Sequence, residues 1–285
     1  LQYPSIQTDT RKLQPGDLFF ALKGPLFNGN QFAQQALDAG AAYVIIDEPV
    51  SFTDTRIIKT ADALQLLQDL AKYHRQQFNI PFIAITGSNG KTTTTMLTHH
   101  ILKKAGMDVG LAGNVGYSFA KQVAEGDHAW YVIELSSFQL DDMHDFHANI
   151  SVLMNITPDH LDRYDYQMQH YVDSKFRILQ NQTKNDWFIF NADDPIISAE
   201  MQKRNPSVNL APFSLKEVQN PGGYANDKQL TININQQFAM SIHELALKGK
   251  HNTQNALAAG IAARILEIRK DVVRESLQDF TNVEH

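Results

Sequence analysis

Ile83-Ala84-Ile85-Thr86-Gly87-Ser88-Asn89-Gly90-Lys91-Thr92-Thr93-Thr94 passes from an apolar run through a glycine-bracketed turn into Gly-Lys-Thr, an order that reads strand, phosphate loop, helix. Two glycines let the backbone fold tightly enough to aim several N–H groups at one point, and the helix that follows adds its positive dipole end. An anion belongs there. Lys91 would reach terminal phosphates as a point charge, and the Thr92 hydroxyl would join a bound Mg2+. A complete P-loop places a further glycine where Ile85 stands, so the loop follows the Gly-x-x-Gly-Lys-Thr half of the pattern. A glycine-rich turn opening an ordinary helix would explain the glycines and leave Lys-Thr-Thr-Thr unexplained.

Working outward, the 285 residues are too many for one average domain and enough for two, each with its own core. Hydrophobic content of 43% and charged content of 20% are ordinary for a globular protein, and a net charge of −6 without a basic run argues against a nucleic-acid partner. Cysteine is absent, which excludes disulfides, thiolate catalysis and Cys-based zinc sites and leaves oxygen and imidazole as metal donors. No apolar stretch approaches ~18 residues and Leu1 to Gln7 lack a secretory pattern, so a cytoplasmic protein with no membrane segment is expected. Without an initiator Met, and ending in mid-pattern at Glu284-His285, the chain reads as a piece of a longer one.

The fold expected is α/β: a small αβ amino-terminal domain over 1–78, then a P-loop, doubly wound, mostly parallel central sheet over 79–285. Asp17 to Gly24 reads as a buried strand, Gln31 to Ala39 as a helix, Ala42 to Ile46 as a strand and Ala61 to Phe78 as a helix with Leu64, Leu67 and Leu70 at helical spacing, ended by Asn79-Ile80-Pro81. From Pro81 strands and helices alternate: Phe82 to Thr86, Thr92 to Ala105, Ala129 to Leu135, Ile150 to Ile156, Tyr171 to Leu179, Trp187 to Asn191. Ligands then collect at the carboxyl ends of the strands. Leu230 to Ile242 looks like an antiparallel appendage, and His251 to Leu266 like an Ala-rich helix.

Chemistry-bearing residues fall at those ends. Glu134-Leu135-Ser136-Ser137 follows one strand and offers a carboxylate and hydroxyls suited to hard Mg2+. Asn155-Ile156-Thr157-Pro158-Asp159-His160-Leu161-Asp162-Arg163 follows the next and concentrates ionisable groups at the same edge. Lys175, in a helical segment, reads from composition alone as a snorkelling surface lysine.

Together with Ala112-Gly113-Asn114-Val115-Gly116, Ser174-Lys175, Gly249-Lys250-His251-Asn252 and Asn255-Ala256-Leu257-Ala258-Ala259, these segments come in the order found in Mur ligases, and the chain resembles that family from about Pro81 to its end. Glu-Leu-Ser-Ser-Phe-Gln is the form of the D-glutamate-adding members. The resemblance implies a cell-wall precursor ligase: ATP phosphorylates a carboxylate of a UDP-N-acetylmuramoyl substrate, an amino acid's amine attacks the acyl phosphate, and amide, ADP and phosphate result. It implies ATP contacts at Gly87, Ser88, Asn89, Gly90, Lys91, Thr92 and Thr93, with Asn252 and Asn255 on the adenine or ribose side. Thr92, Glu134, His160 and Lys175 would bind Mg2+, Lys175 after carbamylation, and Lys91, Glu134, His160 and Lys175 form the catalytic set. Asn114 and Ser136 look like substrate contacts. A monomer is expected.

The amino-terminal stretch resembles a different branch. Thr8-Asp9-Thr10-Arg11, Pro15 to Gly24 and Phe27-Asn28-Gly29-Asn30 look like the uridine-binding domain of the later ligases, above all those adding D-alanyl-D-alanine, which implies substrate contacts at Thr10, Arg11 and Asn28. The chain therefore reads as a hybrid without the third ligase domain, and without that lid as inactive in ligation. A later-step Mur ligase adding D-alanyl-D-alanine or the third residue, a folylpolyglutamate synthase-like ligase and a non-catalytic nucleotide-binding fragment are the alternatives; the uridine-type start argues against the second.

Overall fold

A computed structural model describes residues 5–76, 80–116, 118, 119, 122 and 128–281. The chain divides into two compact units, Leu1–Asn79 and Ile80–His285. Among the described residues no helix is long and apolar enough to cross a membrane.

In the smaller unit, β1 (Ile6–Gln7), β2 (Leu18–Phe20), β5 (Tyr43–Ile46) and β6 (Ile57–Lys59) form a parallel sheet in the order β1-β2-β5-β6. Alternation along its strands supplies two apolar faces. Phe19, Val44 and Ile46 pack with Ala33, Ala36 and Leu37 of α1 (Ala33–Asp38), whereas Phe20 and Ile45 meet Ala63, Leu66, Leu67 and Leu70 of α2 (Ala63–Gln76). The expected strand over Asp17 to Gly24 ends early, at Phe20. Gly24-Pro25 turns the chain into a hairpin of β3 (Lys23–Gly24) and β4 (Phe27–Asn28) instead. The first turn of the expected helix at Gln31 is a 3-10 turn, Gly29–Phe32, started by the Asn28 side chain accepting from the Asn30 amide. Leu64 is 49% exposed, since α2 turns Ala63 inward in its place.

The larger unit contains β7 (Phe82–Thr86), β8 (Val109–Gly113), β9 (Trp130–Glu134), β10 (Ile150–Leu153), β11 (Trp187–Asn191), β12 (Asn209–Ser214), β13 (Gly222–Ala225), β14 (Gln229–Asn233) and β15 (Phe238–Ser241). They form one nine-stranded sheet in the order β15-β14-β13-β12-β11-β10-β7-β9-β8, parallel from β8 through β13. The pair β14 and β15 is antiparallel, as read from Leu230 to Ile242, yet it is no appendage. It joins the main sheet through β13, because Gly223 has no side chain to hold off Leu257 and Ile261, either of which a Cβ there would meet at 3.0 Å.

Helices α3 (Lys91–Lys104), α7 (Lys250–Ile265) and α8 (Lys270–Asp279) share a core with Ile83, Ile85, Val132 and Val152. Phe82, Ala84 and Ile133 point the other way, on the side of α4 (Ser137–Asp141); α5 (Met168–Phe176) and α6 (Pro195–Arg204) pack on Leu153, Phe188 and Phe190. Both faces of β7 are thus covered, which explains its unbroken apolar sequence. The β-branched run Thr92 to Thr95 is a poor helix former by itself. Burial overrides it: Thr95 and Thr98 hydroxyls bond back to the Lys91 and Thr94 carbonyls, and small residues of α7 pack alongside.

Candidate functional site

The chain steps from β7 outward past β9 to β8, and later returns on the other side at β10, so the strand order reverses at β7. Crevices open at the carboxyl ends of strands at such a reversal. Gly87 to Lys91 lies there. Gly90 opens α3 in the left-handed region at φ +78°, and a Cβ on it would sit 2.7 Å from Asn255 Oδ1. Ile85, where a complete P-loop would carry a glycine, is a fully buried strand residue paired with Glu134, so the strand runs on into what would be loop.

Part of the expected anion cradle faces elsewhere. The Ser88 and Asn89 amides donate to Asn155 Oδ1 at 3.1 and 2.8 Å, and Ser88 N also reaches the Asn155 carbonyl at 3.0 Å. Asn155 Nδ2 returns a bond to the Asn89 carbonyl at 3.0 Å. Ser88 Oγ donates to the Thr157 carbonyl and accepts from the Thr157 amide, each at 2.9 Å, which leaves the Tyr171 hydroxyl, also 2.9 Å away, to donate to it. The amides at the start of α3, from Lys91 to Thr93, have no intrahelical acceptor and remain to meet an anion. Lys91 folds back, its Nζ 2.9 Å from the Ser88 carbonyl, and its half-buried ammonium is pushed below the ordinary lysine value by loss of hydration.

Lys175 corrects the reading from composition. It is 2% exposed, and its Nζ donates to the Gly87 carbonyl at 2.8 Å and to Thr86 Oγ1 at 3.3 Å, directly beneath the loop. Burial first, then the positive charge of Lys91, bring its pKa down from 10.5 to about 7, against the pull of Asp159 and Glu134. Glu134 is 1% exposed at the end of β9. Asn114 Nδ2 donates to its Oε1 at 3.0 Å, while Oε2 is buried with no hydrogen-bond partner. An orphaned buried carboxylate oxygen is costly unless a cation or donor completes it.

His160 lies beyond β10 in the left-handed region at φ +50°, with 59% of its side chain exposed. Its neighbours are Asp159, at 3.6 Å, and the Phe138 ring, at 5.1 Å between centroids; the Arg163 guanidinium also lies on that ring at 4.4 Å. Among the described residues no group of three or more His, Asp and Glu side chains gathers as a ready metal cage. A cation here needs other oxygens.

Thr92 and Thr93 are half-buried in the first turn of α3. Asn255 is buried against the loop, accepting from Thr94 Oγ1 at 3.1 Å and donating to Asn252 Oδ1 at 3.2 Å. Ser136 caps α4 reciprocally with Gln139. In the smaller unit Thr10 and Arg11 follow β1, with Arg11 clasping Asp9 at 2.7 Å, and Asn28 donates to Glu48 at 2.7 Å. Sequence reasoning gave Asn155, Thr157, Tyr171 and Phe138 no role. Their partners are remote in the chain, 67 residues in the case of Asn155 and Ser88, so no local pattern exposes the link.

Residues 85–263 match the Mur ligase middle domain, and residues 2–77 match the Mur ligase family, catalytic domain. A UDP-N-acetylmuramoylalanine--D-glutamate ligase of Bacteroides fragilis is 56% identical over 203 residues, which cover 71% of this chain and 46% of that protein. The protein of the same name from Porphyromonas gingivalis is 52% identical over 206 residues, again 71% of this chain and 46% of the relative. The chain spans about half the length of the curated relatives it matches. The solved structure of MurF from Acinetobacter baumannii superposes with a TM-score of 0.74 at 23% identity over 98% of this chain and 63% of its own, and the MurF ligase of Thermotoga maritima in complex with ADP with 0.73 at 20%, over 98% and 66%. At that identity the likeness is one of fold.

Proposed function

The chain belongs to the Mur ligase family, and from that premise we propose that it is the nucleotide-binding part of an ATP-dependent ligase that joins D-glutamate to a UDP-N-acetylmuramoyl-alanine carboxylate. The observation that carries the reading is the Gly87 to Thr92 loop with the buried Lys175 bonded beneath it, together with a buried, half-satisfied Glu134 at the end of the neighbouring strand. Relatives named for D-glutamate addition supply the amino acid. Residues 1–78 are proposed as the uridine-side domain and 79–285 as the ATP-side domain. Thr10, Arg11, Asn28, Asn114 and Ser136 are the proposed substrate contacts.

The chain's own groups divide the work. The amides at the start of α3 and Lys91 hold the phosphates, an electrostatic task in which fixed donors need no reorganisation as charge moves. Asn255 borders the loop on its α7 side, with Asn252 accepting from its carboxamide. The donor chemistry fits a hard dication: Glu134 Oε2 awaits a partner, and Thr92, His160 and a Lys175 carbamate would complete the set. Bound Mg2+ would neutralise phosphate charge. A lysine whose pKa stands at about 7 is part neutral amine at neutral pH, able to add CO2 and release a proton, which exchanges a cation for an anionic oxygen group.

Titration of the chain with ADP and Mg2+, followed by an assay for ADP release from ATP with the muramoyl substrate and D-glutamate, tests the reading. Saturable ADP binding that weakens in Lys91→Ala supports it. Wild-type chain that binds no nucleotide overturns it.

A further inference from the structure

The strap between the phosphate loop and the strand end that carries His160 has no counterpart in the catalytic roles above. Asn155 accepts the amides of Ser88 and Asn89 and donates to the Asn89 carbonyl. Two residues on, Thr157 is stitched to Ser88 Oγ in both directions, and Asn89 Nδ2 reaches Thr157 Oγ1 at 3.3 Å. The segment between is anchored from behind, where the buried Ile156 amide donates to Asp194 Oδ2 at 2.8 Å. Asp194 in turn caps α6. Both ends of the strap are therefore fixed on the loop, and its middle on the cap of α6. His160 follows, exposed, in a left-handed conformation. Resting on the reading of Gly87 to Thr93 as a phosphate site, we propose that Asn155 is a positioning residue that sets the direction of the loop and couples occupancy of the loop to the placement of the segment bearing His160.

The physical reason is directional. A short glycine loop with its amides unsatisfied would sample many orientations; taking the Ser88 and Asn89 amides into one carboxamide fixes the turn and leaves the amides at the start of α3 without a protein acceptor. An anion that pulls on the loop then pulls on the 155–157 backbone, because the two segments share hydrogen bonds rather than mere contact.

Hydrogen exchange by mass spectrometry, with and without saturating ADP and Mg2+, tests both halves on wild type, Asn155→Ala and Ser88→Ala. In wild type ADP is expected to protect 87–93 and also 158–166. Asn155→Ala is expected to bind ADP about tenfold more weakly and, when saturated, to protect 87–93 while losing the protection of 158–166. Ser88→Ala, which keeps the carboxamide but cuts the Thr157 stitches, is expected to lose part of the 158–166 response; it carries the test if Asn155→Ala fails to fold. Equal ADP affinity in Asn155→Ala and wild type overturns the positioning role. Unchanged protection of 158–166 in the saturated variants overturns the coupling. A wild-type chain that binds no ADP overturns the phosphate-site reading, and this inference with it, whereas wild-type binding with an unaffected Asn155→Ala overturns this inference alone.

Discussion

The loop after β7 and the loop after β10 sit side by side, yet they are built differently. Gly87 to Gly90 is braced by Asn155 and Thr157, by Lys175 beneath and by Asn255 against Gly90. The 158–166 segment is exposed over most of its length, and three of its non-glycine residues, His160, Asp165 and Tyr166, occupy the left-handed region. What the contrast teaches is a division of order. The loop proposed to hold phosphate is fixed by side chains of other segments, whereas the exposed His160 side chain has the Phe138 ring and Asp159 beside it.

The sharpest break of that contrast is at Gly90. Gly90→Ala adds the left-handed penalty of about 1–2 kcal/mol and drives a Cβ to within 2.7 Å of Asn255 Oδ1. We expect a lower denaturation midpoint and a loss of nucleotide affinity on the order of 100-fold. Gly106→Ala is the matched control, at φ +79° with nothing within 4 Å, and should show the backbone penalty with affinity intact. Equal affinities in the two variants would show the loop to be less braced than described.

Next comes Lys91→Ala, which removes the loop's own cation. A roughly 10- to 30-fold loss of ADP affinity by calorimetry is expected, about 1.4–2 kcal/mol, with the fold intact.

Lys175 gives a pH signature of the braced side. In the unfolded chain this lysine titrates near 10.5, in the folded chain near 7. Between those values the unfolded state binds the extra proton, so stability rises with pH across the window, by at most ~1.4 kcal/mol per unit. Below pH 7 both states are protonated and the cost is constant. Urea midpoints of wild type and Lys175→Met in CO2-free buffer should diverge most below pH 7, with the variant the more stable, and converge as the pH rises towards 10.5. Parallel curves would mean that Lys175 does not titrate in this range.

The smallest effect belongs to the loosely held side. Tyr166, 78% exposed at φ +57°, contributes strain without burial. Tyr166→Gly should raise stability by about 0.5–1 kcal/mol, the relief of the left-handed penalty exceeding the entropy cost of glycine. A drop in the thermal midpoint would show instead that the tyrosine holds the segment.

Much of the fold was legible along the chain. Apolar strands alternating with helices gave the parallel sheet, Gly87 to Thr92 gave the turn between β7 and α3, and Glu134 and His160 were placed at or beyond the ends of two strands, β9 and β10. Where reading failed, the cause was distance in sequence or a reversal of context. Lys175 looks like a surface lysine because nothing beside it says that it will lie under Gly87. The β8 strand, with glycines at 110 and 113, and β12, with Pro212, have weak strand signals and were set by their neighbours in the sheet.

Local chemistry, the backbone freedom of Gly87 and Gly90, the charge of Lys91 and the carboxylate of Glu134, was therefore determined by sequence alone, because each is a property of one residue or of a short spacing. The tertiary structure decided which amides of the loop are taken by Asn155, which lysine loses its hydration and which carboxylate oxygen lacks a partner. Those properties depend on groups brought together across strands β7, β9 and β10 and helix α5, and desolvation and hydrogen-bond direction exist once that packing is complete.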